Sequence, residues 1–232
     1  MNTIGIIGAM DAEVNGLIEK LSNHKIETVG AIEFHTGKLF YKNVVIARCG
    51  VGKVFAAMCA EAMIIKYAPA LIINTGVAGG LDASLKCADI VVAEKICQHD
   101  MDTSPLGDPK GLISGINKVY FESDSEAIDA VMLSAYELGI TVKRGTVATG
   151  DKFIASNEDR ERIVSEFGAS ACEMEGGAIA HTAFVNKTPF VVIRAISDGA
   201  NSESAMDFPT FLGVAAKKSE AITLALVEKY QK

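Results

Sequence analysis

Three carboxylates stand just beyond short apolar runs of the chain. Glu13 follows Thr3 to Ile7, Glu175 lies where a short strand passes into a helix, and Asp198 follows Phe190 to Ile196. Ligands of open α/β sheets bind outside the carboxyl ends of the strands, so acids at three strand ends can converge on one pocket. Paired carboxylates in opposite protonation states are the equipment for breaking a glycosidic bond. Each acid also has a purely structural reading. Glu13 suits the first turn of a helix, where the macrodipole favours negative charge. Glu173 and Glu175 suit a strand-to-helix turn, and Asp198 suits a cap. Met174 and Phe153 fit packing as well as ligand contact.

The other strand ends are rich in glycine and small polar residues: Gly8-Ala9-Met10, Gly50-Val51-Gly52-Lys53, Thr75-Gly76-Val77-Ala78-Gly79-Gly80 and Gly150-Asp151-Lys152-Phe153-Ile154. None is a nucleotide motif. Gly50-Val51-Gly52-Lys53 lacks the leading spacing and the Ser/Thr of a P-loop, and no Gly-x-Gly-x-x-Gly joins a strand to a helix. His99, Asp100 and Asp102 mimic a metal cluster at a spacing that matches no established site, so neither metal nor cofactor is expected. His181, on an apolar helix face, reads as a core residue.

Positioning these residues requires strands that alternate with helices. Thr3 to Ile7, Val44 to Cys49, Leu71 to Thr75, Ile90 to Ala93, Thr146 to Thr149 and Phe190 to Ile196 read as strands of a largely parallel sheet covered on both faces. Helical spacing covers Asp11 to Leu21, Val54 to Tyr67, Ser125 to Leu138, Asn157 to Phe167, Gly176 to Asn186 and about Phe208 to Tyr230, with Asn157 and Ser125 as N-caps. The alternation runs through residues 1–232 as one α/β domain, without repeats or low-complexity tracts. Lys95 to Gly115, with Pro105, Pro109 and three glycines, is long for a connection and reads as a functional or interface loop.

Composition excludes several classes. With 49% hydrophobic and 22% charged residues, the chain can bury a sizeable core. A net charge of −7 argues against binding nucleic acid or a membrane surface and leaves a small molecule as ligand. No apolar run reaches the about 20 residues of a membrane span, and the N-terminus lacks the basic region of an export signal. Five cysteines, Cys49, Cys59, Cys87, Cys97 and Cys172, include no Cys-x-x-Cys pair and read as reduced thiols of a cytoplasmic protein.

In combination, six segments resemble the 5'-methylthioadenosine/S-adenosylhomocysteine nucleosidase family of the purine nucleoside phosphorylase superfamily, across nearly the whole chain. They are Gly5 to Met10 with Glu13, Gly50 to Lys53, Asn74-Thr75-Gly76 with Ala78-Gly79-Gly80, Gly150-Asp151 with Phe153-Ile154, Glu173-Met174-Glu175, and Arg194 to Asp198. The resemblance implies a three-layer α/β/α domain around a twisted mixed sheet and a homodimer. It implies hydrolysis of the N-glycosidic bond of adenine nucleosides in methionine salvage, without metal or cofactor. Asp198 would protonate N7 of the leaving adenine and Glu13 would activate water. Glu175 would accept from the ribose hydroxyls and Met174 would pack on the sugar. Phe153 would stack on adenine, the Ile154 backbone would read its edge, and Gly79 would let backbone approach the ligand. Arg194 and Ser197 would orient the acids and water. Met10, Val51 and Phe208 would form an apolar slot for the 5' substituent, closed by the 95–115 loop of the other subunit through Thr103, Leu106 or Ile113.

Two features depart from the family pattern. Val77 stands where many relatives carry a hydroxyl, and Asp11-Ala12-Glu13 is less acidic than the usual tip; the Asp102 to Gly115 stretch also diverges. Three alternatives accompany the reading: a phosphorylase of the same superfamily, a nucleoside-binding regulator without catalysis, and a hydrolase of aminodeoxyfutalosine. Glu13 beside the nucleophile site would repel phosphate and suit water.

Overall fold

A computed structural model describes residues 3–198 and 204–231, with the side chains of 204–210 outside the described set. In chain order the elements are β1 (Thr3–Gly8), α1 (Asp11–Ile18), β2 (Ser22–Val29), β3 (Ile32–Leu39), β4 (Lys42–Arg48), α2 (Lys53–Tyr67), β5 (Leu71–Gly80) and β6 (Ile90–Gln98). A single 3-10 turn at Ser104–Leu106 precedes β7 (Phe121–Glu122), α3 (Ser125–Leu138), β8 (Val142–Thr149), α4 (Asn157–Phe167), β9 (Ala169–Glu173), α5 (Gly176–Val185), β10 (Phe190–Asp198) and α6 (Ser204–Lys229).

The fold is mixed α/β, and the two-residue period of its central strands sorts their side chains to opposite faces. Ile7, Ile72 and Val192 pack with Cys59 and Met63 of α2 and Ile179 and Ala183 of α5. Ile6, Ile73, Val191 and Ile193 pack on the other face with Val14 and Leu17 of α1, Val131 of α3 and Ile222 and Leu226 of α6. Each such side chain, removed from water, contributes about 1.5–3 kcal/mol. Burial on both faces is why these strands read as continuous Val/Ile runs.

The sheet is mixed rather than largely parallel. β1 pairs in parallel with β4 and β5, and β5 with β10, but β10 runs antiparallel to β6 and β9 antiparallel to β5. The order β10-β6-β8-β9-β5 closes on itself, because β10 also pairs with β5. At the end of β5 this closure brings distant segments together: Gly79 is the register partner of Asp198 on one side and of Cys172 on the other.

Several boundaries differ from the sequence reading. β5 runs on to Gly80 through Thr75-Gly76-Val77-Ala78-Gly79, a stretch of low β-propensity held in the sheet by Arg194, Ala195 and Ile196 of β10. β6 passes a bulge between Ala93 and Lys95 and continues to Gln98 opposite Thr149, so the long connection starts at His99, not Lys95. The N-caps lie one residue earlier than Ser125 and Asn157: Asp124 accepts from the Ala127 amide and Ser156 from the Asp159 amide. α1 stops at Ile18, three residues short of Leu21. The β2–β3 hairpin escapes the apolar pattern because β2 is an exposed edge strand; its sequence signal is Gly30, at φ +61° in a two-residue turn. Among the described residues no helix is long and apolar enough to cross a membrane.

Candidate active site

A cavity of about 270 Å³ opens where β5, β9 and β10 meet α1. Met10, Glu13, Val51, Val77, Gly79, Phe153, Ile154, Met174, Glu175, Ser197 and Asp198 line it, with Ala9, Ala78, Lys152, Cys172 and Glu173. Acids separated by up to 185 positions in the chain thus share one wall-to-wall space, which is 198 minus 13 in the numbering.

Glu13 sits in the first turn of α1 and is 5% exposed. Its Oε2 accepts from the amides of Ala9 at 2.7 Å and Met10 at 2.9 Å, and its Oε1 from the amide of Val77 at 3.0 Å. The carboxylate thus caps the start of α1 and also lines the cavity. Burial pushes its carboxyl above the ordinary glutamate range, against the opposing pull of Arg194 and the three amides. A Cβ on Gly76 would lie 2.6 Å from Oε1, so glycine is what makes the seat possible. Val77 serves through its backbone amide, and its side chain is apolar cavity wall.

Asp198 ends β10 and is 3% exposed. Ser197 Oγ donates to its Oδ1 at 2.7 Å and also lies 3.3 Å from the Ala78 carbonyl. Arg160, buried on α4, brings a guanidinium nitrogen to 3.8 Å from Oδ2. A Cβ on Gly79 would press on Oδ2 from 3.2 Å, so this glycine clears space for the acid.

Glu175 is held through Glu173. Glu173 Oε2 accepts from the amides of Glu175 at 3.1 Å and Gly176 at 2.7 Å, and from the Arg194 guanidinium; its Oε1 accepts from Thr149 Oγ1. Arg194 in turn donates to the Asn74 side chain and carbonyl. With its own backbone fixed in this way, Glu175 points one oxygen, Oε1, at the Gly52 amide, 2.8 Å away. Burial and the neighbouring Glu173 charge push the Glu175 carboxyl up to about 7.

The remaining expectations fall out differently. Arg194 is only 1% exposed and does not line the cavity; it lies beneath the floor and reaches the site through Glu173 and Asn74. Phe208 lies outside the described side chains. Of the loop residues proposed to reach a second subunit, Ile113 packs within this chain's core and is bridged to Lys118, and Thr103 is bonded to Asp108. Leu106, 83% exposed, is free to project. His181 is half-buried and stacked on Phe121, not in the core, because α5 turns this edge outward. His99 is buried against Gly150, and Asp100 pairs with Lys53; among the described residues no His, Cys, Asp and Glu group could hold a metal ion. The sequence reading gave no site role to Thr149, to Arg160 or to Asn74, which it quoted only as part of a motif. Asn74 and Thr149 carried a signal, as polar residues at the ends of Val/Ile runs, whereas Arg160 sits in a polar helix with nothing to mark it.

Comparison with known proteins gives the following likenesses. A family model described as the phosphorylase superfamily matches residues 3–228. The chain is 41% identical over 227 residues to a 5'-methylthioadenosine/S-adenosylhomocysteine nucleosidase of Staphylococcus aureus, covering 97% of this chain and 99% of the relative. It superposes on the nucleosidase of the same name from Neisseria meningitidis, solved with methylthio-immucillin-A, with a TM-score of 0.96 and 35% identity over 99% of this chain and 100% of the other. A futalosine hydrolase of Helicobacter pylori gives a TM-score of 0.94 and 33% identity over 99% and 98% of the two chains.

The raised Glu175 carboxyl has a consequence for stability. Below about pH 4.5 the folded and unfolded states both hold this proton; as pH rises toward about 7 only the unfolded state releases it, so stability falls across that window and stays lower above it. The loss is on the order of 2–3 kcal/mol. Glu175→Gln, which keeps an acceptor for Gly52, is expected to raise the Tm at pH 8 by roughly 4–10 °C and to lose that advantage as the pH falls toward 4.5. Thermal melts of both proteins across this range check it; a difference independent of pH would contradict the assignment.

Proposed function

The chain belongs to the phosphorylase superfamily and, within it, to the 5'-methylthioadenosine/S-adenosylhomocysteine nucleosidase family, and from that membership we propose how its cavity works. It hydrolyses the N-glycosidic bond of 5'-methylthioadenosine and S-adenosylhomocysteine, and of 5'-deoxyadenosine, releasing adenine and the 5'-substituted ribose. The observation that carries the reading is that Glu13, Glu175 and Asp198 line one cavity together with Phe153 and Met174.

Asp198 is the general acid. Its O–H donates to N7 of adenine while its other oxygen accepts from the 6-amino group, a pattern that selects a 6-aminopurine; Ser197 holds Oδ1 in place. As the bond to N9 lengthens, its electrons pass into the purine, N7 takes the proton, and the ribosyl group becomes oxocarbenium-like. Glu13 removes a proton from water as the water oxygen bonds to C1'. Three amides fix both Glu13 oxygens, so the base waits in one orientation. Glu175 accepts from the ribose hydroxyls, Met174 packs on the sugar, Phe153 stacks on adenine and the Ile154 backbone reads its edge. Met10 and Val51 receive the 5' substituent. Each proton transfer is worth about 10²- to 10⁴-fold in rate.

Water is favoured over phosphate by charge. The described lining holds Glu13, Glu173, Glu175 and Asp198 with Lys152 as its cation, and a phosphate dianion there would meet net repulsion. Aminodeoxyfutalosine hydrolysis is the second reading, supported by the likeness to futalosine hydrolase.

The reading extends to the whole chain as one three-layer α/β/α domain around a twisted sheet, acting without metal or cofactor in cytoplasmic methionine salvage. It functions as a homodimer. In support, α2 exposes Val54, Phe55, Met58 and Ile65, and α5 exposes Val185, an apolar surface of the kind that a second copy covers. The connection within 95–115, through Leu106, closes the neighbouring site.

Two experiments test this. Purified protein incubated with 5'-methylthioadenosine in phosphate-free buffer is expected to release adenine, and Asp198→Asn to lower kcat by about 10²-fold or more. Release that requires phosphate and yields a sugar 1-phosphate would overturn hydrolysis, and near-normal turnover would remove Asp198 from the acid role. Met58→Glu is expected to give monomers in light scattering with reduced turnover, and an unchanged monomer mass for the wild-type chain would refute the dimer.

A further inference from the structure

Glu175 is reached from two sides. From β9, Glu173 fixes its backbone. From the opposite side comes the turn Gly50-Val51-Gly52-Lys53, and this turn is itself clamped by residues with no place in the chemistry so far. Gly52, at φ +101°, donates its amide to Glu175 Oε1 at 2.8 Å, and the next amide, Lys53, donates to Asp151 Oδ1 at 2.8 Å. A Cβ on Gly52 would stand 3.1 Å from that same Asp151 oxygen. Asp151 is not free to follow its side chain, because its own amide donates to Asp100 Oδ2 at 2.9 Å. Asp100 Oδ1 takes the Lys53 ammonium at 2.7 Å, which returns the chain of contacts to the turn where it began. Lys53 Nζ also reaches Gln98 Oε1 at 3.3 Å.

The result is a closed polar ring through three segments, the turn before α2, the end of β6 and the residues after β8. It reaches the cavity-lining Glu175 through the Gly52 amide, beside Val51 of the cavity wall. Glu175 Oε1 is taken up by that amide, and Oε2 accepts nothing from the described residues. An acceptor that must hold two sugar hydroxyls needs one oxygen anchored so that its plane is set, which is what a single fixed N–H supplies. We propose that Asp151 and Asp100 are positioning residues for the sugar-binding carboxylate, clamping the Gly50–Lys53 turn so that the Gly52 amide orients Glu175. The proposal rests on the reading of Glu175 as the ribose acceptor.

The direction of a pH effect separates this clamp from simple charge. Glu175 also faces Glu173 from β9, Arg194 from β10, Glu13 from α1 and Cys49 after β4, with Gly52 the amide that favours its charged form. Removing the Asp151 charge alone makes ionisation of Glu175 easier and moves the acid limb of kcat/KM to lower pH. Releasing the Gly52 amide makes ionisation harder and moves that limb to higher pH.

The experiment is a pH series of kcat and KM for 5'-methylthioadenosine with wild type, Asp151→Ala, Asp151→Asn, Asp100→Ala, Glu175→Gln and the Asp151→Ala/Glu175→Gln double variant. Asp151→Ala and Asp100→Ala are expected to raise KM about 3- to 10-fold, the worth of one hydrogen bond, with a smaller change in kcat and the acid limb displaced to higher pH. Asp151→Asn, whose amide oxygen still accepts from Lys53, restores KM. The double variant shows no rise beyond Glu175→Gln. An acid limb that stays or moves to lower pH in Asp151→Ala, or additive losses in the double variant, would overturn the clamp. If Glu175→Gln itself leaves KM unchanged, the ribose reading of Glu175 fails instead.

Discussion

One buried guanidinium organises the site. Arg194 lies 1% exposed beneath the cavity and is bound to Glu173 and Asn74, with Glu13 and Glu175 close enough to act on its charge. A charge buried this deeply is tolerable only when it is paired; both terminal nitrogens are bonded, Nε has no partner among the described residues, and removing one partner of such a pair costs about 3–5 kcal/mol. The pairing is distributed over the closed part of the sheet: Arg194 from β10, Asn74 from β5, Glu173 from β9, and Thr149 from β8 bonding Glu173 in turn. Four strands must be in register for this cluster to be satisfied, so the electrostatics of the site and the topology of the sheet specify each other.

The same charge allows four acids to crowd one cavity with different duties. Glu173 has spent its oxygens on Arg194, Thr149 and two amides and is a structural member. Glu13 has three amides and a carboxyl raised by burial. Glu175 has one amide, an adjacent acid and a carboxyl pushed up by burial to about 7. Asp198 has a hydroxyl donor and a guanidinium within 4 Å. Residue type is nearly constant, and surroundings make the difference, which is how two carboxyls can serve as acid and base in one reaction.

Much of this was legible in the sequence. Val/Ile runs marked the six main strands because both faces of each are buried, and the acids stood where those runs end. The sequence could not display what depends on pairing. The Gly76 to Gly80 stretch has no propensity for a strand and becomes one because β10 lies beside it. β2 shows no apolar alternation because it is an exposed edge. Arg194 reads like any basic residue at a strand end until the ring of strands places it under the floor. Individual acids were readable; their different surroundings were not, since burial and the amides of positions 9, 10, 52 and 77 come only with the fold.

Burial around one arginine sets these acids apart from ordinary glutamates. Carbon-13 NMR of protein labelled at the glutamate carboxyl carbon reads this directly, with Glu13→Gln and Glu175→Gln assigning the two signals. Titration of the wild-type protein is predicted to show both carboxyls protonating above the ordinary range, Glu175 near pH 7. Both signals titrating together near 4.5 would contradict it.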